Sequence, residues 1–315
     1  MVCGLAVATV VALAGCSTRS APAGDGQAAA ALTPVRSAAT PTPSPSASAR
    51  TSAAAPGLSP PPVRGISWRP AGTMLGGHAV TYVASADGGT VGLLWIDPRA
   101  VAFRLVPGFR VPEGGPSSAA DNEPATWVPR MVAAFNGGFL LGDHVGGYYD
   151  LHRTVAPLVP GLGSLAISTT GQLRVGRWGR DLGMTPTTAV VRQNLPLLVD
   201  HGRAMTSASD TTRTWGLANG GLWTANRSAL GVRPDGSFVY AYGHDVRPAT
   251  MAAALVAVGV QRAMVLDMNK SWPGGFVYWH TSTGIHGARI QPQEVHSPEV
   301  YYQRYTKDFV AVLVR

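Results

Sequence analysis

Three separated segments place polar groups at the ends of apolar, strand-like runs. They are Phe135-Asn136-Gly137-Gly138-Phe139, Asn226-Arg227-Ser228-Ala229-Leu230-Gly231-Val232 and Ala263-Met264-Val265-Leu266-Asp267-Met268-Asn269. That is where a rigid sheet can present a carboxamide, a guanidinium and a carboxylate to one pocket. Arg227 offers a planar fork that matches phosphate or carboxylate oxygens two at a time. Beside a buried strand such a cation is costly without an anion. A structural ion pair with Asp210 or Asp267 is the alternative reading. Ser228 is its chain neighbour and could donate to the same oxyanion. Asn136 can both donate and accept at a sugar hydroxyl or a phosphate. Gly137 and Gly138 would let backbone approach a ligand, with their N–H groups cradling an anion. The alternative for Asn-Gly-Gly is an ordinary tight turn.

Further polar residues surround these segments. Asp143 and His144 extend the Asn136 loop and could bind substrate or a metal, although solvated loop positions are the commoner outcome. Asp200 and His201, at a strand-to-turn junction, read as structural. Trp272, Phe276, Tyr278 and Trp279 follow the Asp267 segment and could stack on sugar rings or simply fill a core. The oxygen-bearing side chains of Asn136, Asp143, Asp267 and Asn269 would permit a hard ion such as Ca²⁺, though no EF-hand-type spacing is present. No metal ligand set is assigned.

The order and surroundings of the three segments resemble the phosphodiester glycosidase family, the group that includes the mannose 6-phosphate uncovering enzyme. The resemblance runs from about Arg64 to Arg315 and rests on Asn136-Gly137-Gly138-Phe139, Arg227-Ser228-Ala229-Leu230-Gly231 and the strand ending in Leu266-Asp267. It departs where the family carries Gly-Gly-Gly-Ser and this chain has Met268-Asn269-Lys270-Ser271. The resemblance implies hydrolysis of a sugar-1-phosphodiester. Arg227, Ser228 and the Gly137 and Gly138 N–H groups would hold the phosphate. Asp267 would act as general base toward water, as nucleophile, or as electrostatic partner of an oxocarbenium-like transition state. Asn136 and Asn269 would orient sugar hydroxyls, and Ser271 falls near the family serine. Asp267 and Arg227 are therefore the expected catalytic residues. The altered stretch also fits a non-catalytic glycan- or phosphoglycan-binding protein with a degenerate site. A structural or partner-binding lipoprotein with no glycan pocket is the third reading.

The elements that must position these groups are mostly strands. Runs at His78–Ala86, Val91–Asp97, Ala100–Val106 and Met131–Phe135 alternate or are apolar between turn signals. Thr169-Thr170-Gly171 and Pro234-Asp235-Gly236 each read as hairpin turns, between Ser164–Ser168 and Gln172–Arg177 and between Ser228–Val232 and Ser237–Tyr242. Thr188–Arg192, Leu197–Val199, Arg262–Leu266 and the continuous apolar run Phe309–Val314, expected to be central, complete the set. One helix is expected over Met251–Val258. Pro248 lies near its start and Gly259 at its C-cap, and because it is apolar nearly all round it should be buried against the sheet. The expected fold is α+β: a curved, mostly antiparallel mixed sheet with few helices, in a single globular domain.

That domain is expected at 64–315. Ahead of it, residues 1–15 read as a signal peptide whose Leu13-Ala14-Gly15-Cys16 ending resembles a bacterial lipobox. Cys16 would carry the lipid, and a plain signal peptide is the alternative. No Lys or Arg precedes the apolar run, so the start of translation could lie upstream of Met1. Residues 16–63, rich in Ala, Pro, Ser and Thr, read as a disordered tether. The only other cysteine is Cys3, so the domain carries no disulfide, thiolate ligand or thiol nucleophile. The net charge of +8 comes almost wholly from arginine, Lys270 and Lys307 being the only lysines. Such a domain suits anionic envelope polymers or phosphate-bearing glycans; with no Lys/Arg run and no recognisable module, nucleic acid is not the expected partner. The expected location is extracytoplasmic, anchored to the cell membrane through the lipid.

Overall fold

Alternating and fully apolar runs separated by Gly, Pro and Asp turns build three antiparallel sheets in this computed structural model. It describes residues 58–315 except 111–122, 144, 208–209, 211–213 and 217–222. The residues read as a signal peptide, Cys16, most of those read as a tether, and His144 lie outside the described residues. The largest sheet has the order β1 (Arg69–Leu75), β2 (His78–Ala86), β3 (Val91–Ile96), β14 (Phe238–Val246), β13 (Ala225–Val232), β15 (Arg262–Met268), β11 (Val199–Asp200) and β12 (Arg203–Ala204). A second has the order β7 (Arg153–Ala156), β6 (Tyr148–Asp150), β10 (Thr188–Asn194), β8 (Gly163–Ser168) and β9 (Leu173–Arg177). The third runs β17 (Gly284–Arg289), β16 (Gly275–Thr281), β5 (Met131–Asn136), β18 (Phe309–Val314) and β4 (Val101–Val106).

The main core is shared by all three sheets. Leu94, Leu230, Tyr240 and Leu266 come from the first, Leu165 and Ile167 from the second, and Phe103, Phe135 and Val310 from the third. Each such side chain contributes roughly 1.5–3 kcal/mol on burial, the source of stability available to a domain without cysteine. β18 pairs with β5 on one side and β4 on the other, and its sequence is apolar without alternation because both faces are buried, Val310 and Val312 in the main core and Phe309, Ala311 and Leu313 in a second cluster. The helix α1 (Pro248–Ala257) starts with proline in its first turn. Its Met251, Ala252 and Leu255 pack with Ala229, Ala241 and Val265 on the other face of the first sheet.

Two boundaries differ from the sequence reading. Leu58 was expected in the tether, yet its N–H donates to the Asp97 carboxylate at 2.8 Å and its side chain packs against the core. The folded unit therefore includes at least part of 58–63. β1 carries Pro70 and Gly72, which argue against a strand. It forms as an edge strand whose ladder partner among the described residues is β2, where a missing N–H is tolerated. The aromatic stretch around Phe276 and Tyr278 is β16, hydrogen-bonded to β5 and β17.

Candidate functional site

The C-terminal end of β15 delivers Asp267 to the floor of a pocket of about 400 Å³, lined also by Asn269, Met268, Trp272, Lys307 and Asp143. Asp267 is 3% exposed and Lys307 4%. The Lys307 ammonium donates to Asp267 Oδ2, and the Met268 N–H donates to Asp267 Oδ1 at 2.7 Å. Lys307 also lies over the Trp272 ring, its Nζ 5.0 Å from the centroid. Burial pushes the Asp267 carboxyl up, with Asp308 adding to the rise, while the Lys307 ammonium and the Met268 N–H oppose it. A carboxyl displaced upward works as a proton carrier closer to neutral pH.

A second buried ion pair stands behind the first. Arg192 Nε donates to Asp308 Oδ2 at 3.1 Å, and Nη2 donates to the Phe139 carbonyl. Because Lys307 and Asp308 are chain neighbours just before β18, the two pairs form a run of four alternating charges. This run explains the glycines of the Asn136 loop. A Cβ on Gly137 would lie 2.3 Å from Asp308 Oδ2, and one on Gly138 would lie 2.9 Å from Asn194 Oδ1. Asn194 in turn accepts from the Phe139 N–H at 3.2 Å and donates to the Val265 and Leu266 carbonyls at 2.9 and 2.6 Å. The loop is thereby tied to the end of the strand that carries Asp267.

Several residues expected to touch substrate are held inside the scaffold instead. Asn136 Nδ2 donates to the Gly137 carbonyl and to Ser228 Oγ, at 2.8 and 2.9 Å. Asn136 Oδ1 accepts from Tyr240 and from the Gly274 N–H, at 2.9 and 3.2 Å. All four hydrogen-bonding positions of the amide are thus filled. Ser228 Oγ also accepts from the Asp267 N–H at 3.1 Å, so Ser228 fastens β13 to β15. The Gly137 N–H donates to the Asp308 carbonyl at 2.9 Å rather than facing an anion.

Arg227 is 2% exposed and does not line the pocket. It forms no ion pair with Asp210 or Asp267. Its guanidinium donates instead to the Val246, Trp215 and Trp223 carbonyls at 3.1, 3.1 and 3.2 Å, and contacts Met268 Sδ at 3.2 Å. Burial lowers its pKa to about 10. Arg227 and Ser228 are successive residues of one strand and point to opposite faces, so they do not share an oxyanion. Arg227 anchors Trp215 and Trp223, and Gly216, next to Trp215, forms part of the pocket wall. Asp210 accepts from the Trp215 indole at 2.6 Å.

Asn269 lies in the pocket lining, its Oδ1 accepting from the Ser271 N–H at 3.0 Å, so Ser271 orients Asn269. Of the aromatics, Trp272 reaches the pocket, Phe276 and Tyr278 are buried core, and Trp279 stacks on His286 at the surface. Asp200 accepts from Arg180 at 2.8 Å, as a structural role requires, and His201 is exposed beside it. Of the oxygen set read as permitting Ca²⁺, Asp143, Asp267 and Asn269 line this one pocket, while the Asn136 amide is filled internally and Asp267 is bonded to Lys307. Among the described residues no group of three or more His, Cys, Asp or Glu side chains gathers to hold a metal ion.

The sequence reading missed Lys307, Arg192, Asn194 and Asp308. The available signals were a lysine and an aspartate directly before an apolar strand, in a chain with two lysines, and the polar run Arg192-Gln193-Asn194 closing another strand.

No protein-family model and no curated protein matches this chain. Among the solved structures that resemble it are three of 14–15% identity. One is a hypothetical protein from Synechocystis, 14% identical, with a TM-score of 0.44, the likeness covering 81% of this chain and 64% of that one. Another is the zebrafish N-acetylglucosamine-1-phosphodiester alpha-N-acetylglucosaminidase catalytic domain auto-inhibited by its pro-peptide, 15% identical, with a TM-score of 0.45 and coverage of 83% and 87%. The third, from Burkholderia pseudomallei and described as an exported protein, is 14% identical with a TM-score of 0.41 and coverage of 76% and 75%. Likeness at this level carries no argument about substrate or chemistry, and the functional reading rests on the pocket.

Proposed function

We propose that the chain hydrolyses a sugar-1-phosphodiester in a phosphate-bearing envelope glycan or polymer, at the pocket floored by Asp267 and Lys307. One observation carries this reading: a carboxylate and an ammonium, both almost inaccessible, meet at the floor of a 400 Å³ pocket with a tryptophan beside them. A buried ion pair is a poor source of stability, so its placement at a pocket floor favours a functional role. In this reading Lys307 meets the phosphate oxygens, Trp272 offers a face to the sugar and Asn269 orients a hydroxyl. Asp267 acts on the anomeric carbon, as base toward water or as nucleophile. A phosphate leaving group needs little protonation, so one well-placed carboxylate can suffice, and the exposed Asp143 at the rim is available as a second. Arg227, Ser228, Asn136, Gly137 and Gly138 serve by holding the pocket's frame. The lipobox at Cys16 would put this activity outside the membrane, on a lipid anchor.

The test is turnover of the purified chain against a panel of sugar-1-phosphodiesters, with and without Ca²⁺, beside Asp267→Asn. Cleavage that persists in the variant at the wild-type rate would overturn the assignment. A binding protein without turnover is the second reading. It is favoured by Met268 standing where the resemblance leads one to expect glycine, and by the internal bonds that fill Arg227, Ser228 and Asn136. It predicts glycan affinity that falls in Trp272→Ala with no product formed.

A further inference from the structure

At the opposite end of β15 lies a second concavity of about 530 Å³, to which four arginines contribute: Arg99, Arg174, Arg262 and Arg315. Arg262 and Asp267 are five residues apart on one strand, roughly 17 Å at about 3.3 Å per residue, so this cleft is distinct from the Asp267 pocket.

The arginines come from separate elements whose backbones are fixed. Arg99 lies in the turn before β4, Arg174 on β9, Arg262 at the start of β15 and Arg315 after β18. The hairpin tip that leads into β9 is docked on β4, where the Phe103 N–H donates to the Gly171 carbonyl at 2.8 Å. Arg99 is engaged by Asp97 at 3.1 Å. The others keep most of their donors. Arg174 donates Nη2 to the Asp181 carbonyl at 2.9 Å, and Arg262 donates Nε to the Val175 carbonyl at 3.4 Å. Among the described residues no other hydrogen bond engages either guanidinium, each of which carries five N–H donors. The one side-chain carboxylate in the lining, Asp181, is held by Arg180 at 2.7 Å and by the Arg177 N–H at 2.9 Å, and lies 4.0 Å from Arg262. Several guanidiniums gathered around one already-neutralised carboxylate repel one another, and a multivalent anion relieves that repulsion.

We propose that this cleft is an anion-binding site for a phosphate-bearing segment with two or more adjacent charges, gripped chiefly by Arg174 and Arg262. The planar fork of each guanidinium matches two phosphate oxygens, and two such forks on fixed strands select for adjacent phosphates over a single one. The proposal does not depend on any chemistry at Asp267.

The experiment is calorimetric titration of the full chain with inorganic tripolyphosphate, and with orthophosphate as the single-phosphate comparison. Tripolyphosphate should bind one saturable site, with orthophosphate at least about tenfold weaker. Arg174→Gln and Arg174→Gln/Arg262→Gln should each weaken tripolyphosphate at least about tenfold, while Arg153→Gln, an exposed arginine on the edge strand β7 outside the cleft, leaves it within about twofold. Arg174 is exposed and makes one hydrogen bond, so its single variant stays folded and keeps the test decisive if the double variant does not. Absence of saturable binding, or binding unchanged in Arg174→Gln, overturns the proposal. An equal loss in Arg153→Gln also overturns it, by showing a general charge effect in place of a site. A chain inactive on every phosphodiester leaves this test unaffected.

Discussion

The two ends of β15 hold charge under opposite conditions. At the Met268 end, Asp267, Lys307, Asp308 and Arg192 are all buried, and each charge has a partner of opposite sign within the run. At the Arg262 end, Arg99, Arg174 and Arg315 are exposed and cationic side chains outnumber the single side-chain carboxylate. A buried charge stripped of its partner has no water to fall back on, whereas an exposed one is merely resolvated. The first end should therefore answer substitution with lost activity and stability. The second should answer mainly with lost affinity for anions.

The largest effect expected is on catalysis. Asp267→Asn should lower turnover of a cleaved phosphodiester by about 10²–10⁴-fold, measured as initial rate. Next is Lys307→Met, which leaves Asp267 buried and unpaired. It should cost about 3 kcal/mol in urea unfolding, and a loss near that of a surface substitution would break the contrast between the two ends.

The pH dependence sharpens the contrast further. The folded-state pKa of Asp267 is raised, so its stabilising contribution is full below the ordinary value of 3.8 and is lost as pH rises through the folded value. Wild type should thus lose ground to Asp267→Asn as pH climbs from 3.8, read from unfolding midpoints of both proteins. The exposed pairs carry the opposite sign. Arg180 holds the Asp200 carboxyl below its usual range and contributes to lowering that of Asp181, so their contribution is present above 3.8 and is lost as pH falls through the lowered values. Arg180→Gln should destabilise near neutral pH, by less than about 1 kcal/mol, and by still less in acid. This is the smallest effect of the series.

Much of the frame was legible in the sequence. His78–Ala86 and Phe309–Val314 emerge with the bounds read from alternation and apolar continuity, and both hairpins close at the predicted turns. β1 was not legible, because Pro70 and Gly72 argue against a strand and only its edge position makes them harmless. At the site, the sequence marked where polar groups end apolar strands, and Asp267 and Asn269 do reach the pocket. It could not tell which of those groups face outward. Arg227 and Ser228 look alike as chemistry at a strand end, yet one cages itself in carbonyls and the other fastens two strands.

The local alternation of apolar and polar residues, the turn residues and the Pro248-to-Gly259 helix frame determined the strands, hairpins and helix, because those signals act within a few residues of chain. The partnership of Asp267 with Lys307, forty positions away, and of Arg192 with Asp308 was decided only when the sheets closed on one another. Each of these four charges is buried where an opposite charge arrives from another part of the chain, as Arg227 is buried where carbonyls do. That arrival is a property of the packed sheets and not of any segment read alone.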